Sequence, residues 1–385
     1  MKKVLSFILV CLMLLPFNIV RAEELKLAEN AKSAILIEPT TGTIIFEKNS
    51  HEKLHPASMT KMMSMLLIVE AIEKGIISWD EVVTVSENAA GMGGSQILLE
   101  VGEQMTVDDL FKGVAVASGN DAVVALAEKI GGTEAIFVDM MNERAKELGL
   151  TDTNFKNPHG LDEANHYSSA YDMAIIAKEL VKHSKVLEYT SIYEDYLREN
   201  TDRKIWLVNT NKLVRFYDGV DGLKTGYTAS AGYCLTATAK KNNSRFIAVV
   251  MGEADSKIRN QEISEMLDYA FAQYEVEQVL GRDSIVETRE VEKGKIKYVD
   301  IVPLDEVTFL NKKGTSKKNA SYEVNVDNLK APIKQGDIVG SLIIKEDNEI
   351  IREVPLTIKE DVEKANIFEL YWRHLTDIFK GDVSF

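Results

Sequence analysis

The chain has 385 residues, too many for one ordinary domain, and its 45% hydrophobic and 27% charged residues are typical of a globular protein. Its 60 acidic residues outnumber its 45 basic ones, which gives a formal net charge of −15. Such an acidic chain is a poor partner for nucleic acid, and any attachment to an anionic membrane has to be hydrophobic.

The first 22 residues have the pattern of an export signal. Lys2 and Lys3 form a basic start, an apolar run extends to Val20, and Ala22 is a small residue suited to cleavage. The alternative is an uncleaved membrane anchor, for which an apolar run of about 17 residues is only just long enough. We predict an exported protein cleaved after Ala22, in which Cys234 remains as a single cysteine without an intramolecular disulfide.

The next part of the chain, residues 23–275, is predicted to fold as one α/β domain with a helical lobe, because strand-like and helix-like patterns alternate along it. The patterns indicate a β-hairpin at 33–49, a helix at about 57–74, a mostly helical region at 107–205, a three-stranded antiparallel meander at about 223–253 and a helix at 257–274.

The end of the chain differs from this domain. Residues 276–362 consist of short alternating stretches between Gly, Asn and Lys clusters, which indicates a small all-β sandwich domain. Residues 363–385 form an amphipathic helix pattern with an aromatic-rich apolar side. We predict that this helix attaches to a membrane surface, and the alternative is a helix docked on the β-domain or in a dimer.

Ser58 and Lys61 lie three residues apart at the start of the first predicted helix, so they share one helical face. That face continues with apolar residues such as Met65. A lysine beside apolar surface has a lowered pKa, and its neutral amine next to a serine hydroxyl forms a nucleophile pair. The alternative is a lysine that extends its charge to solvent. Ser50 and Lys53 repeat the spacing in a polar segment, so the spacing alone is weak evidence.

The second candidate is Ser118-Gly119-Asn120, at a break between two predicted helices. Glycine permits a tight turn there, so both polar side chains can face a cleft. The alternative is that Asn120 is an ordinary N-cap of the helix that starts at Asp121.

The third candidate is Lys224-Thr225-Gly226 on a predicted strand. Lys224, Gly226 and Thr228 share one face of that strand, and a mid-strand glycine often marks the close approach of another backbone. We therefore predict that a substrate chain pairs with this strand and that Lys224 and Thr228 bind its anionic group. The alternative is an edge strand with a solubilising lysine.

Taken together, Ser58-Met-Thr-Lys61, Ser118-Gly-Asn120 and Lys224-Thr-Gly226 resemble the three motifs of the penicillin-binding protein and serine β-lactamase superfamily. More narrowly, the stretches HPASMTKMM, NPHGLD and DGLKTGYTASAGYCL are similar to low-molecular-mass D-alanyl-D-alanine carboxypeptidases, the penicillin-binding protein 5-like family. The similarity covers roughly residues 30–275, and the small β-domain and terminal helix match the usual appendages of that family.

The resemblance implies a transpeptidase-like fold and a serine hydrolase that removes the terminal D-alanine from peptidoglycan stem peptides. Ser58 would be acylated, Lys61 would accept its proton and Ser118 would relay protons. The implied substrate-binding positions are Asn120 for the substrate backbone, Lys224, Thr225, Gly226, Tyr227 and Thr228 on the strand, and Arg259 for the terminal carboxylate. The backbone N–H groups of Ser58 and Tyr227 would form the oxyanion hole.

This assignment implies no cofactor, no metal and an enzyme at the outer face of the cytoplasmic membrane. A β-lactamase is the nearest rival, but the loop NPHGLDEANHYSS lacks the lactamase Glu-x-x-Leu-Asn pattern, so we predict slow release of penicillin and inhibition by it. A D,D-endopeptidase and a non-catalytic cell-wall binding protein are further alternatives. His159 and Asp172 suggest a Ser-His-Asp triad, but with Lys61 as the base we expect both to be structural.

Overall fold

The structure is a computed structural model that describes residues 25–315, 320–346 and 349–380. The predicted export signal lies outside these residues. Within the described ranges, no helix combines the length and the apolar character that crossing a bilayer requires.

The first domain alternates strands and helices, as the sequence predicts. Its strands are β1 (Ser33–Glu38), β2 (Thr43–Lys48), β3 (Val82–Thr84), β4 (Gln104–Thr106), β5 (Glu194–Leu197), β6 (Ile205–Val208), β7 (Val220–Thr228), β8 (Gly232–Lys241) and β9 (Ser244–Glu253). Its helices are α1 (Lys61–Glu73), α2 (Glu87–Ala90), α3 (Val107–Ala117), α4 (Asn120–Gly131), α5 (Glu134–Glu147), α6 (Ala170–Leu180), α7 (Ser184–Thr190), α8 (Leu213–Phe216) and α9 (Ser256–Gln273).

The centre of this domain is a five-stranded antiparallel sheet in the order β2-β1-β9-β8-β7. Strands β8 and β9 are joined by the predicted Asn-Asn turn, in which Asn242 has a left-handed φ of 54°. Helix α9 packs on one face through residues such as Leu267. The other face joins the larger core, in which α1 is central. The predicted hairpin, meander and following helix are therefore confirmed.

Helix α1 is buried on every side rather than along one stripe. All nine residues from Lys61 to Val69 are buried, because α3, α4, α5 and α6 surround the helix. The prediction of a single apolar face is wrong in this respect. A lysine on such a helix has no path along which to extend its charge to solvent, so the snorkelling alternative is excluded for Lys61.

The region at 107–205 is less uniformly helical than predicted, since β5 and β6 form a short antiparallel hairpin in it. That hairpin leads through Asn209 to Thr210, whose hydroxyl contacts Thr225 on β7.

The β-domain follows α9 directly. Its strands are β10 (Tyr274–Leu280), β11 (Glu287–Glu292), β12 (Tyr298–Pro303), β13 (Val307–Lys312), β14 (Ala320–Val326), β15 (Leu329–Lys330), β16 (Gly340–Glu346) and β17 (Glu349–Ile358). Six of them form one sheet in the order β14-β16-β17-β12-β11-β15, while β10 pairs with β13. Its core is built from aliphatic side chains such as Leu342 and Leu356. The prediction of an all-β domain is confirmed.

A last helix, α10 (Ile367–Lys380), follows the β-domain. Several of its apolar side chains are exposed, including Phe368 at 78%, Trp372 at 67% and Phe379 at 86%. On its polar side, Arg373 donates a hydrogen bond to the carbonyl of Lys295. The amphipathic helix is present, and much of its apolar side does not pack on the β-domain.

Candidate active site

Ser58 lies in a short 3₁₀ turn, Ala57–Thr60, that leads directly into α1. In a 3₁₀ turn, side chains three residues apart lie above one another, so Ser58 and Lys61 are brought together. Lys61 Nζ lies within hydrogen-bond distance of Ser58 Oγ, at 3.0 Å. The local structure therefore holds the serine against the lysine.

Lys61 is fully buried, and its Nζ has hydrogen-bond partners on three sides. Its Nζ contacts Ser58 Oγ and donates to Asn120 Oδ1 at 2.6 Å and to the carbonyl oxygen of His159 at 2.7 Å. Burial and the nearby cation of Lys224 hold the pKa of Lys61 well below its ordinary value, and the carboxylate of Asp121 opposes this shift. The neutral amine is therefore favoured at this position.

Ser118 and Asn120 line the same site from the helical lobe. Ser118 ends α3 in a left-handed conformation with φ of 64°, and its Oγ is buried without a hydrogen-bond partner among the residues described. Asn120 is fixed by its Nδ2, which donates to the carbonyl of Gly93 at 2.7 Å. The N-cap of α4 is Gly119, so the alternative reading of Asn120 as a helix cap is wrong.

Strand β7 closes the other side of the site. Lys224 is fully buried, and burial together with the Arg259 cation lowers its pKa to about 7. Gly226 does allow a close backbone approach. A Cβ at this position would lie 2.7 Å from Pro56 O and 3.3 Å from Ser58 N. The approaching backbone is the turn that carries the nucleophile candidate, and only glycine fits this contact.

The rest of the strand faces the open side of the site. Thr225 Oγ1 donates to Thr210 Oγ1 at 2.8 Å, and Thr228 Oγ1 donates to Asp162 Oδ1 at 2.8 Å. Tyr227 is 57% exposed, and its ring packs on that of Tyr233 with 4.3 Å between centroids.

Arg259 lies on α9, buried behind β7. Its Nη2 donates to Asn260 Oδ1 at 2.8 Å, and burial lowers its pKa. Because its charge lowers the pKa of Lys224, the two cations lie close enough to repel each other. This is the arrangement that an anion binding between them would stabilise.

His159 and Asp172 do not form a triad with Ser58. Nδ1 of His159 accepts a hydrogen bond from the N–H of Leu161, and burial with the Lys61 cation lowers the pKa of His159 to about 3. Asp172 instead binds Thr153 Oγ1 at 2.7 Å, at the start of α6. Both residues are structural, as expected from the sequence.

The loop that carries His159 supplies contacts that the sequence motifs do not reveal. Gly160 has a φ of +89°, and a Cβ there would lie 1.9 Å from the carbonyl oxygen of Ala57. Pro158 O accepts a hydrogen bond from Ser64 Oγ at 2.7 Å. The loop is thus clamped onto the start of α1, which places the His159 carbonyl on Lys61. In the sequence, Pro-His-Gly is the feature from which this contact between the loop and α1 could have been predicted.

No cluster of three or more His, Cys, Asp or Glu side chains suited to a metal occurs in the part of the chain that the structure describes. Cys234 is buried and free. The catalytic candidates are thus serine, lysine and amide side chains, and together with the fold they define a serine peptidase of the penicillin-binding class.

Comparison with known proteins identifies the family to which the chain belongs within this class. The family described as D-alanyl-D-alanine carboxypeptidase matches residues 20–255, and the C-terminal domain of penicillin-binding protein 5 matches residues 274–364. The chain therefore belongs to the D-alanyl-D-alanine carboxypeptidase family, whose members are serine-type peptidases.

Two individual relatives match nearly the full length of the chain, and a third matches about its first two thirds. The D-alanyl-D-alanine carboxypeptidase DacF of Bacillus subtilis is 52% identical, with 98% of this chain and 99% of the relative covered. The crystal structure of penicillin-binding protein 5 from Haemophilus influenzae is 34% identical, with a TM-score of 0.70 over 89% of this chain and 100% of that one. Ampicillin-bound penicillin-binding protein D2 of Listeria monocytogenes is 29% identical, with a TM-score of 0.57 over 63% of this chain and 98% of that one.

Proposed function

We propose that this protein removes the terminal D-alanine from peptidoglycan stem peptides through an acyl-enzyme on Ser58. The observation that carries the proposal is the contact between Ser58 Oγ and the buried Lys61 Nζ, 3.0 Å apart. A weak serine nucleophile requires a base within hydrogen-bond reach, and burial provides one by favouring neutral lysine.

The other contacts of Lys61 set the direction of proton transfer. A neutral amine has two N–H groups and one lone pair. The oxygens of Asn120 and His159 take the two N–H groups, which leaves the lone pair directed at Ser58 Oγ. Lys61 can then take the Ser58 proton as the hydroxyl attacks the penultimate D-alanine carbonyl. Ser118, whose buried Oγ lacks a partner among the described residues, relays that proton to the leaving D-alanine.

Substrate binding follows from the other side of the site. The terminal carboxylate of the stem peptide is bound by Lys224 and Arg259, with the Thr225 hydroxyl as a further donor, because a carboxylate relieves the repulsion between these two cations. The backbone N–H groups of Ser58 and Tyr227 stabilise the oxyanion. Removal of one such donor costs about 3 kcal/mol of transition-state stabilisation.

The same site accounts for inhibition by β-lactams. A relative of this fold binds ampicillin. In this chain the NPHGLD loop places a histidine carbonyl rather than a glutamate carboxylate on Lys61. We therefore expect the penicilloyl ester on Ser58 to hydrolyse slowly, because the described hydrogen-bond partners of Lys61 include no carboxylate that could activate water.

The test uses the purified protein, a D-Ala-D-Ala-ended muropeptide and penicillin. We expect D-alanine release, and a penicilloyl adduct on the Ser58 peptide by mass spectrometry. Ser58→Ala abolishes both signals. Ser50→Ala is the matched control because Ser50 and Lys53 repeat the motif spacing away from the cleft. Absence of both D-alanine and adduct contradicts the proposal, and rapid penicillin turnover would identify a β-lactamase instead.

We also propose that the enzyme is exported and is held at the outer face of the cytoplasmic membrane by residues 363–385. The support is the exposed apolar side of α10, which includes Phe368 and Phe379. In a vesicle sedimentation assay, Phe368→Ser with Phe379→Ser should release the protein into the supernatant, whereas Thr376→Ala on the same helix should not. Retention of the double variant or of a chain lacking 363–385 contradicts membrane attachment by this helix.

A further inference from the structure

A cavity of about 280 Å³ lies where the β-domain meets the first domain. We call it the junction cavity. Six cationic side chains line it, against two acidic ones, Asp305 and Glu306. The six cations are Lys178, Lys182, Lys240, Arg245, Arg282 and Arg352. Such a concentration of positive charge is unexpected in a chain whose net charge is −15.

Three of these cations are neutralised by carboxylates of their own domain. The pairs are Arg245 with Asp221 at 2.7 Å, Lys182 with Glu179 at 2.9 Å and Arg282 with Asp305 at 3.3 Å. These contacts explain why half of the cluster is stable without a ligand. They do not neutralise the other half.

Lys178, Lys240 and Arg352 have no carboxylate within 4.0 Å among the residues that the structure describes. Nη1 of Arg352 is buried and has no hydrogen-bond partner there either. Burial lowers the pKa of Lys178, and the neighbouring Lys182 cation lowers it further. Burial also lowers the pKa of Arg352. Lys178 and Arg352 are partly buried, so leaving their charges unneutralised is costly, and a bound anion would offset that cost.

The nearest buried carboxylate does not complete the cluster. Glu179 and Glu38 favour the charged form of Lys178, and Asp305 and Glu38 favour that of Arg352. Glu179 and Asp305 are paired with Lys182 and Arg282, and the oxygens of Glu38 are already bound. Oε1 accepts from Thr40 N at 2.8 Å, and Oε2 accepts from Thr41 N at 2.6 Å. The cavity therefore retains donors that no described acceptor uses.

We propose that the junction cavity binds a phosphate group. Guanidinium groups match phosphate oxygens in pairs and lysine ammonium groups add point charges, so the mixture of Arg and Lys around a small cavity suits a multiply charged tetrahedral anion. Lys178 and Lys240 belong to the first domain and Arg352 to the β-domain, so the bound phosphate links the two domains. Phosphate binding stabilises the folded chain, and the stabilisation grows with the logarithm of the phosphate concentration above the Kd.

The junction cavity is separate from the catalytic cleft. Lys224 in the cleft pairs with Thr236 on β8, whereas Lys240 lies four residues further along that strand, roughly 13 Å away at 3.3 Å per residue. Variants of the cavity are therefore expected to leave acylation of Ser58 unchanged, which separates this proposal from the proposed peptidase activity.

Calorimetric titration of the whole protein with inorganic pyrophosphate tests the proposal. We expect one binding site and a higher Tm with pyrophosphate. Arg352→Gln and Lys178→Gln should each weaken binding about tenfold or more, the effect of one charged hydrogen bond. Lys185→Gln is the control because this lysine lies on α7 outside the cavity. Penicillin acylation of Ser58 reports that each variant is folded.

A second arm distinguishes the source of the phosphate. Phosphatidylglycerol–phosphatidylcholine vesicles that compete with pyrophosphate in the wild type, but not in Arg352→Gln, assign the cavity to a lipid headgroup. Lack of competition assigns it to a soluble or polymer-borne phosphate. The proposal is overturned if millimolar pyrophosphate does not bind, or if Arg352→Gln and Lys178→Gln bind it as tightly as Lys185→Gln.

Discussion

The two domains differ in what they bury. In the described part of the chain, the buried charged side chains all belong to the first domain, while the buried polar side chains of the β-domain are two threonines, Thr308 and Thr357. The buried charged residues are Glu38, Lys61, Asp121, Asp172, Lys224, Glu253, Arg259 and Glu262. The β-domain core is otherwise aliphatic.

The buried charges include groups that the site needs for catalysis, whereas the buried aliphatic side chains contribute to the stability of the fold. A buried lysine lowers the free energy of unfolding unless its hydrogen bonds offset desolvation, whereas a buried leucine stabilises by its apolar area alone. The first domain therefore buries Lys61, at a cost in stability, because burial disfavours its charge and the site needs a neutral amine. Substitution of Lys61 should therefore lower activity but not stability, whereas substitution of an aliphatic residue in the β-domain core should lower stability but not activity.

The largest effect is expected for Lys61→Met. Methionine fills the same space without charge, so acylation of Ser58 by penicillin should fall by about 10² or more through loss of the general base. The Tm should stay unchanged or rise, because the variant no longer has to desolvate and deprotonate a lysine on folding, which offsets the two lost hydrogen bonds to Asn120 and His159. Stopped-flow acylation and calorimetry measure the two quantities. Lys53→Met, at an exposed lysine, is the control.

The opposite signature is expected for Leu342→Ala in the β-domain. Leu342 is fully buried in the aliphatic core, so truncation should lower the free energy of unfolding by about 2–5 kcal/mol. Denaturant titration measures this loss. The folded variant should acylate at the wild-type rate, since the residue lies outside the catalytic domain. A slower acylation would show that the two cores are coupled.

A smaller, pH-dependent effect is expected for Glu253→Gln. Burial and the neighbouring carboxylate of Glu262 raise the pKa of Glu253 to about 8 from its ordinary 4.5. The folded state therefore holds a proton that the unfolded state has lost, and stability declines as pH rises from about 4.5 to about 8. Glutamine mimics the protonated acid and removes this decline. The Tm difference, variant minus wild type, should grow between pH 5 and pH 9.

Glu262 provides the control for that measurement. It accepts hydrogen bonds from Asn30 N at 2.7 Å and Asn30 Nδ2 at 2.8 Å, and its pKa is lowered, so it stays ionised. Glu262→Gln should therefore lower the Tm throughout this pH range. A Tm difference for Glu253→Gln that does not vary with pH would contradict the raised pKa of Glu253.

Sequence patterns predicted the elements of the fold because those depend on local periodicity. The helix after Ser58, the β7–β9 meander and the alternating β-domain follow from patterns of a few residues. The β5–β6 hairpin was missed because strands of four residues each give too short an alternation within a helical region. Whether α1 is covered on one side or on all sides depends on distant helices, so its full burial was also missed.

In the candidate site, too, the local sequence predicts contacts between neighbouring residues but not contacts from distant parts of the chain. The pairing of Ser58 with Lys61 follows from spacing on one turn. The His159 carbonyl and the clamp at Gly160 come from a loop about 100 residues further along the chain, and nothing in the local sequence of α1 specifies them. Gly226 was recognised as a point of close approach, but which backbone approaches it is decided by the tertiary structure.

The central claim, a neutral Lys61 beside Ser58, is tested most directly by an NMR titration of the protein labelled with ¹³Cε-lysine. The Lys61 signal is assigned by its loss in Lys61→Arg. We predict that this signal titrates well below the ordinary lysine value of 10.5. Titration of Lys61 near 10.5 would contradict the account, because the lysine would then be an ammonium at neutral pH and unable to accept the Ser58 proton.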